Sequence, residues 1–116
     1  MKNVKRPKIQ LLHTESCHSY QEALATLKEV LKELNLPEDV DVIPVDSQER
    51  ARVYKFLGSP TIKINGLDLE PELEATGNFS LDACRTYVYE GTLYHYPPKE
   101  MLVEALNSLK ERCELA

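Results

Sequence analysis

A chain of 116 residues with 42% hydrophobic and 28% charged residues has the composition of an ordinary globular domain, long enough to bury one core without disulfide staples. Its 19 acidic residues outnumber its 14 basic ones, giving a net charge of -5, and the basic residues form no stripe with interleaved aromatics. We therefore expect a single domain over residues 1–116 and no nucleic-acid partner.

The start of the chain is basic, with Lys2, Lys5, Arg6 and Lys8. The apolar run behind it, Ile9 to Leu12, is shorter than the roughly 7 to 15 apolar residues of a secretory leader or the roughly 20 of a membrane span. The cysteines are odd in number and widely spaced, unlike a secreted disulfide framework: Cys17, Cys84 and Cys113. These features predict a cytoplasmic protein without a membrane partner.

The first strand and the first helix have the clearest patterns. Ile9 to His13 predicts a short buried strand, and the following helix has apolar residues at helical spacing, namely Tyr20, Ala23, Leu24, Leu27, Val30, Leu31 and Leu34. Ser16 as cap would put Cys17 in the first turn of this helix. A capping box of Ser19 and Glu22 would leave Cys17 just outside. Asn35 and Pro37 end the helix.

Shorter elements follow. Val40 to Val45 predicts a second strand, placed at a sheet edge by Pro44. Asp46 or Ser47 caps a short helix with Ala51, Val53, Tyr54 and Leu57 on its apolar side and Gly58 as the residue after its end. Thr61 to Ile64 predicts a third strand, which Asn65-Gly66 ends in a tight turn. This alternation of strands and helices makes the first two strands parallel neighbours.

The second half of the chain begins with an acidic segment, Leu67 to Ala83. We expect a solvated loop there, with a helical turn begun by Ser80; the acids could also select a basic or thiol-bearing partner by charge. Arg85 to Tyr89 and Thr92 to Tyr96 predict a hairpin. Pro97-Pro98 starts a last helix, whose apolar face holds Leu102, Leu106, Leu109 and Cys113.

This order of elements, together with two motifs, resembles the thioredoxin-like superfamily over nearly the whole chain. The motifs are Cys17-His18-Ser19-Tyr20, where thioredoxins have Cys-x-x-Cys, and Ser59-Pro60-Thr61, which is similar to their cis-proline turn. The resemblance implies an α/β fold with a mixed four- or five-stranded sheet flanked by helices on both faces. Further motifs resemble small bacterial thioredoxin-like proteins related to alkylmercury lyases: Gly58-Ser59-Pro60-Thr61, Asn65-Gly66, Asp68-Leu69-Glu70-Pro71 and Cys84-Arg85-x-Tyr87.

Tyr20 stands where the second cysteine of the redox pair would be, so a local Cys-x-x-Cys disulfide is excluded. A thiol at a helix N-terminus is more readily a thiolate, which makes Cys17 a candidate nucleophile, with His18 able to add to the stabilisation. The resemblance implies that the strand opened by Cys84 lies beside the Pro60 strand. Cys84 is then a candidate resolving thiol if the two Cα atoms come within about 7 Å. Alternatively, Cys17 is inert and the other cysteines are small buried hydrophobes.

The resemblance also implies a substrate-binding wall. Ser59, Pro60 and Thr61 would offer backbone groups to an extended substrate segment beside the nucleophile, with His18 and Tyr20 close by. Tyr20 continues the apolar stripe of the helix, so a core position is the alternative for it. Together with Cys17 and Cys84, His13 and His18 lack the spacing of a zinc site, and we predict neither a metal nor a cofactor.

Three functions are open at this point. The first is a thiol-based redox protein that acts on a disulfide- or thiol-bearing protein or on a small thiol; whether it is an enzyme stays open. The second is a redox-inactive thioredoxin-like binding module that uses the same groove. The third, drawn from the resemblance to the alkylmercury lyase group, is capture of mercury or an organomercurial by Cys17 and Cys84, with Glu15 as the carboxylate nearest in sequence.

Overall fold

The structure, a computed structural model, describes residues 7–15, 19–77, 79 and 85–115, and only the backbone of residues 109–115. The elements in this part are β1 (Ile9–His13), α1 (Ser19–Glu33), β2 (Val40–Pro44), α2 (Gln48–Val53), β3 (Thr61–Ile64), β4 (Leu67–Asp68), α3 (Pro71–Glu74), β5 (Tyr87–Tyr89), β6 (Thr92–Tyr94) and α4 (Lys99–Leu115). The four strands β1 to β4 form one sheet, and β5 pairs with β6 in a separate hairpin.

The main sheet is mixed, in the order β2-β1-β3-β4. β1 pairs in parallel with β2, where Ile9 lies opposite Val40, and antiparallel with β3, where Ile9 lies opposite Ile64. As the sequence predicted, the first two strands are parallel neighbours and the strand that carries Pro44 is at an edge. The predicted α/β fold with a mixed sheet is confirmed.

One face of the sheet packs against the two long helices. Alternate residues of the two central strands point to this face, where they join buried residues of α1 and α4 in one apolar cluster: Ile9, Leu11, Ala23, Leu27, Val30, Leu31, Ile62, Ile64, Leu102 and Leu106. Leu102 and Leu106 of the predicted α4 stripe are therefore core residues, and the predicted α1 stripe lies in or against the same cluster. The side chains of Leu109 and Cys113 lie outside the described part of the chain.

The opposite face is divided into an apolar part and a charged part. Leu12 and Val45 pack with Ala51 of α2 and with Phe56. Farther along the sheet, Lys63 of β3 forms a buried ion pair with Glu74 of α3. Helices thus cover both faces of the sheet, as expected.

The helix ends follow from local backbone chemistry. Asn35 has a φ of 58° after α1, and Leu36 N donates to Leu31 O at 2.8 Å, which closes the helix in a Schellman motif. Ser47 is the N-cap of α2, since its side chain accepts from Arg50 N at 3.1 Å.

The predicted end of α2 is wrong. The helix stops at Val53, so Tyr54 and Leu57 lie outside it and Gly58 is not the residue that ends it. Lys55 takes the left-handed conformation with a φ of 55°, and Phe56 N donates to Ala51 O at 2.7 Å. The helix is closed early because Phe56 is buried beside Ala51.

In residues 67–74, the start of the acidic segment, a strand and a helix stand where the composition predicted a loop. The Asn65-Gly66 turn leads directly into β4, with Asn65 at φ 53° and Gly66 at φ 82°, as a two-residue hairpin turn requires. Pro71 at the first turn then starts α3, as its fixed φ favours. Ser80, the predicted start of a helical turn, lies outside the described residues.

The position of the hairpin also differs from the expectation. β4, and not the strand that follows Cys84, pairs with β3 in the sheet, and β5 pairs with β6. The segment before β5 contacts the turn before β3 through one backbone hydrogen bond, from Arg85 N to Ser59 O at 3.3 Å. In the described part of the chain, no helix has both the length and the apolar character needed to cross a membrane.

Candidate functional site

The turn that enters β3, Gly58 to Thr61, is buried, and its Ser59–Pro60 peptide bond is cis, the isomer that the resemblance implies. Three of its carbonyl oxygens accept hydrogen bonds from this chain. Gly58 O accepts from the Thr61 hydroxyl, Ser59 O from Arg85 N at 3.3 Å, and Pro60 O from the Tyr87 hydroxyl at 2.7 Å. The segment Arg85 to Tyr87 therefore lies against this turn.

Ser59 joins two segments that are far apart in sequence. Its side-chain Oγ accepts from Thr14 N at 3.1 Å, and its carbonyl accepts from Arg85 N. Cys17 follows Thr14 by three positions, and Cys84 immediately precedes Arg85. Cys17, His18 and Cys84 themselves lie outside the described residues, as does the side chain of Cys113.

His13 and Tyr20 stack face to face, with ring centroids 3.8 Å apart and planes 7° apart. His13 ends β1 and is 8% exposed, with Nδ1 3.2 Å from Thr14 O. Tyr20, in the first turn of α1, is partly buried and packs against the apolar cluster. The stack fixes the two ends of the connection between β1 and α1.

Arg85 and Asp68 form a buried ion pair with two hydrogen bonds. Nη1 lies 2.7 Å from Oδ2 and Nη2 lies 2.5 Å from Oδ1. Nη2 also donates to Glu70 Oε1 at 3.2 Å, and the Tyr87 ring lies under the guanidinium, 4.2 Å from its carbon. This bidentate geometry is the strong form of the arginine–carboxylate contact, and it fixes the segment before β5 to β4.

The electrostatics of this cluster keep Arg85 charged and Tyr87 neutral. Burial works against the charge of Arg85, but the hydrogen bond and charge of Asp68, with contributions from Tyr87 and Glu70, raise its pKa above the ordinary value. Burial raises the pKa of Tyr87, although the nearby Arg85 charge acts in the opposite direction. The Tyr87 hydroxyl is thus a stable donor to Pro60 O and an acceptor for Ile62 N, 3.3 Å away.

These contacts correct the expectation of a solvated acidic segment. The side chain of Asp68 is fully buried, and those of Glu70 and Glu74 are 13% exposed. Glu72 is exposed, as expected. Sequence reasoning also missed Arg85. The signal available was the Asn65-Gly66 turn, which sets the register of β4 and puts Asp68 on the same face as Lys63.

Away from the Ser59–Pro60 turn, an open cleft of about 430 Å³ lies beside α1 and the start of α4. It is lined by Thr26, Glu29, Tyr94, His95, Tyr96, Pro98 and Lys99. Lys99 Nζ lies 2.6 Å from Glu33 and 3.5 Å from Glu29. The hydrogen bond to Glu33 raises the pKa of Lys99. This cleft shares no residue with the Ser59–Pro60 turn.

The structure brings Ser59, Pro60 and Thr61 together with Arg85 and Tyr87, and it puts Tyr20 beside His13. Among the residues it describes, no three His, Cys, Asp or Glu side chains are grouped so that they could hold a metal ion. The chemistry available in this described part is hydrogen bonding and ion pairing, and the thiols lie in the adjacent segments.

The comparisons with known proteins give one match. A family model described as "Domain of unknown function (DUF2703)" matches residues 12–106, from the end of β1 into α4. This range includes the Ser59–Pro60 turn, Cys17 and Cys84. No curated protein and no solved structure matches the chain. Since the match covers most of its length, the chain belongs to the DUF2703 family.

Proposed function

We propose that this protein is a thiol-based redox protein in which Cys17 is the nucleophile and Cys84 the resolving thiol. The observation that carries the proposal is the pair of hydrogen bonds at Ser59, one from Thr14 N and one from Arg85 N. Consecutive Cα atoms are about 3.8 Å apart, so chain length limits the Cα of Cys84 to about 4 Å from that of Arg85 and the Cα of Cys17 to about 11 Å from that of Thr14. This supports a disulfide between them.

The position of Cys17 ahead of α1 supports its role as nucleophile. The helix has 15 described residues, and the first of them, Ser19, follows Cys17 by two positions in the sequence. Unpaired amide N–H groups and the positive end of the helix dipole favour an anion there, and they lower the pKa of a nearby thiol. The stack of His13 on Tyr20 holds the start of the helix against the end of β1.

The proposed reaction is thiol–disulfide exchange in two steps. The Cys17 thiolate attacks one sulfur of a substrate disulfide, forming a mixed disulfide and releasing the other sulfur as a thiolate. The Cys84 thiolate then attacks the Cys17 sulfur and releases the second substrate thiolate. The substrate gains two electrons and becomes a dithiol or two thiols, while the protein becomes the Cys17–Cys84 disulfide. Two molecules of an external thiol then reduce the Cys17–Cys84 disulfide by the same exchange, and they are themselves oxidised to a disulfide.

The test is alkylation of the reduced protein as a function of pH, read separately for each cysteine-containing peptide. We expect an apparent pKa for Cys17 well below the value of about 8.5 for a free thiol. We also expect a disulfide between Cys17 and Cys84 after oxidation, detected by peptide mapping without reduction.

Three variants make the test specific. Cys17→Ser and Cys84→Ser must each abolish the bridge, and Cys113→Ser is the matched control that must leave both the bridge and the Cys17 pKa unchanged. An ordinary Cys17 pKa without a bridge would overturn the proposal. The chain would then be treated as a binding module that lacks redox chemistry.

A further inference from the structure

The carbonyl oxygens of the Ser59–Pro60 turn already accept hydrogen bonds from other groups of this chain. The carbonyl of Ser59 accepts a hydrogen bond from Arg85 N at 3.3 Å. The next carbonyl, of Pro60, accepts from the Tyr87 hydroxyl, and the preceding one, of Gly58, accepts from Thr61. An extended peptide that adds to a strand edge needs backbone groups that are unpaired.

The segment that occupies this turn is held firmly. Arg85 is 4% exposed and Tyr87 is fully buried. The Arg85 guanidinium has four hydrogen bonds, two to Asp68, one to Glu70 and one to Thr61, and Glu70 also accepts from Val88 N. Lifting the segment off the turn would break this ion pair and leave the Asp68 charge buried and unpaired, which is strongly unfavourable.

We propose that the segment Arg85 to Tyr87 is a built-in strand partner of the Ser59–Pro60 turn, and that the substrate of the redox site is therefore a small disulfide and not an extended polypeptide. The inference rests on the proposed function and adds the substrate class to it. In this inference the carbonyls of Ser59 and Pro60 form hydrogen bonds within the chain. A polypeptide disulfide then reacts no faster than a small one through strand addition at this turn.

The experiment compares two disulfides that differ only in chain length. One is the neutral dimer of N-acetylcysteine methylamide, and the other is the disulfide dimer of a neutral ten-residue peptide that carries the same cysteine at its centre. The second-order rate constant for consumption of the Cys17 thiol is measured for each by quenching and mass spectrometry. A synthetic peptide covering Thr14 to Ser19, with the same cysteine and no fold, is the reference thiol.

We expect the ratio of the two rate constants, long over short, to be the same for the protein and for the reference peptide. A ratio in the protein that exceeds the reference by about twofold or more would overturn the inference, because one added backbone hydrogen bond gives about two- to tenfold. That result leaves the proposed function intact. Rates no faster than those of the reference peptide with either disulfide would instead overturn the proposed function, and the inference with it.

Two variants weaken different contacts that hold the segment Arg85 to Tyr87 on the turn, and a double variant combines them. Asp68→Asn weakens the anchor of Arg85, and Tyr87→Phe removes the donor to Pro60 O while keeping the ring. We expect each folded variant to raise the long-over-short ratio several-fold with little change in the rate for the short disulfide. Glu104→Gln, which alters a surface contact of the same hairpin with Tyr89, is the control and must leave the ratio unchanged. No rise in the folded double variant Asp68→Asn/Tyr87→Phe, checked for folding by circular dichroism, would overturn the built-in strand.

Discussion

Arg85 and Asp68 lie 17 residues apart in sequence, and their side chains meet through two buried hydrogen bonds of 2.7 and 2.5 Å. The side chains are 2% and 0% exposed. This pair connects the segment before β5 to β4. Among the described residues, no strand ladder joins β4 to the hairpin of β5 and β6. The hairpin is therefore attached to the main sheet by side-chain chemistry.

The first prediction concerns this pair. Asp68→Asn should lower the free energy of unfolding by about 3 to 5 kcal/mol, because it breaks the buried bidentate ion pair and leaves the Arg85 charge with Glu70 as its one described carboxylate partner. The measurement is urea denaturation followed by circular dichroism. Asp46→Asn is the control, because Asp46 pairs with Arg50 at the surface, where the side chains are 73% and 49% exposed, and its loss should cost about 0 to 1 kcal/mol. Equal losses in the two variants would contradict the buried pair.

The second prediction concerns the hydroxyl of Tyr87. Tyr87→Phe should destabilise the protein by about 1 to 3 kcal/mol, since Pro60 O and Ile62 N lose a buried partner while the ring stays in place. Thermal or urea denaturation measures the change. Tyr89→Phe, on the same hairpin, removes a surface hydrogen bond to Glu104 and should change the stability far less. The account fails if Tyr87→Phe is as mild as Tyr89→Phe.

The third prediction is a pH dependence at the alkaline end. Burial raises the pKa of Tyr87 in the folded protein, while in the unfolded chain it is about 10. Above that pH the unfolded state loses a proton that the folded state keeps, so stability falls as the pH rises, by at most about 1.4 kcal/mol per pH unit. Urea denaturation at several pH values between about 9 and 11 should give a shallower fall for Tyr87→Phe than for the wild type. If the free energy of unfolding falls with pH equally steeply in both proteins, the titration of Tyr87 makes no contribution to the fall.

The fourth prediction concerns the stacked rings of His13 and Tyr20. A double-mutant cycle with His13→Leu and Tyr20→Leu should give a coupling of about 0.5 to 1.5 kcal/mol, the usual value of an aromatic pair beyond its buried area. Urea denaturation of the four proteins supplies the numbers. A second cycle of Tyr20→Leu with Tyr54→Leu is the control, because Tyr54 packs in the other cluster, and it should be additive. A coupling near zero in the first cycle would contradict the stack.

Much of the fold could be predicted from local patterns. Ile9–His13 and Thr61–Ile64 were found with their observed bounds, because a short apolar or alternating run between turn residues is a strong strand signal. Asp46 or Ser47 was predicted as the cap of α2, and Ser47 is the cap, because a serine side chain accepts from the first amide groups of a helix. Asn35 was predicted at the end of α1, where asparagine tolerates the left-handed conformation. These elements depend on residues close in sequence.

The charged part of the sheet could not be predicted in this way. Lys63 pairs with Glu74 and Arg85 with Asp68, across 11 and 17 residues, and a lone charge in a sequence does not indicate its partner. Acidic residues around a proline are typical of a solvated loop, so Asp68 and Glu74 were misread. Their burial depends on tertiary contacts that no local pattern reports.

The candidate site was found in part. Ser59, Pro60 and Thr61 were selected from a short motif, and the structure puts them in one buried turn. The groups that bind this turn, Arg85 and Tyr87, were read as strand residues, since alternating aromatic and apolar residues predict a strand and say nothing of hydroxyl or guanidinium partners.

All four residues of β3 are buried, yet the two sides of the strand have opposite character. Ile62 and Ile64 join the apolar cluster. On the other side of the strand, Thr61 accepts a hydrogen bond from Arg85, and Lys63 forms an ion pair with Glu74. A shift of β3 by a single residue would carry an ammonium group into the apolar cluster and two isoleucines against the buried ions. The strand can therefore pair with β1 in one register only, and that register fixes the position of Pro60, the residue before β3, relative to the end of β1.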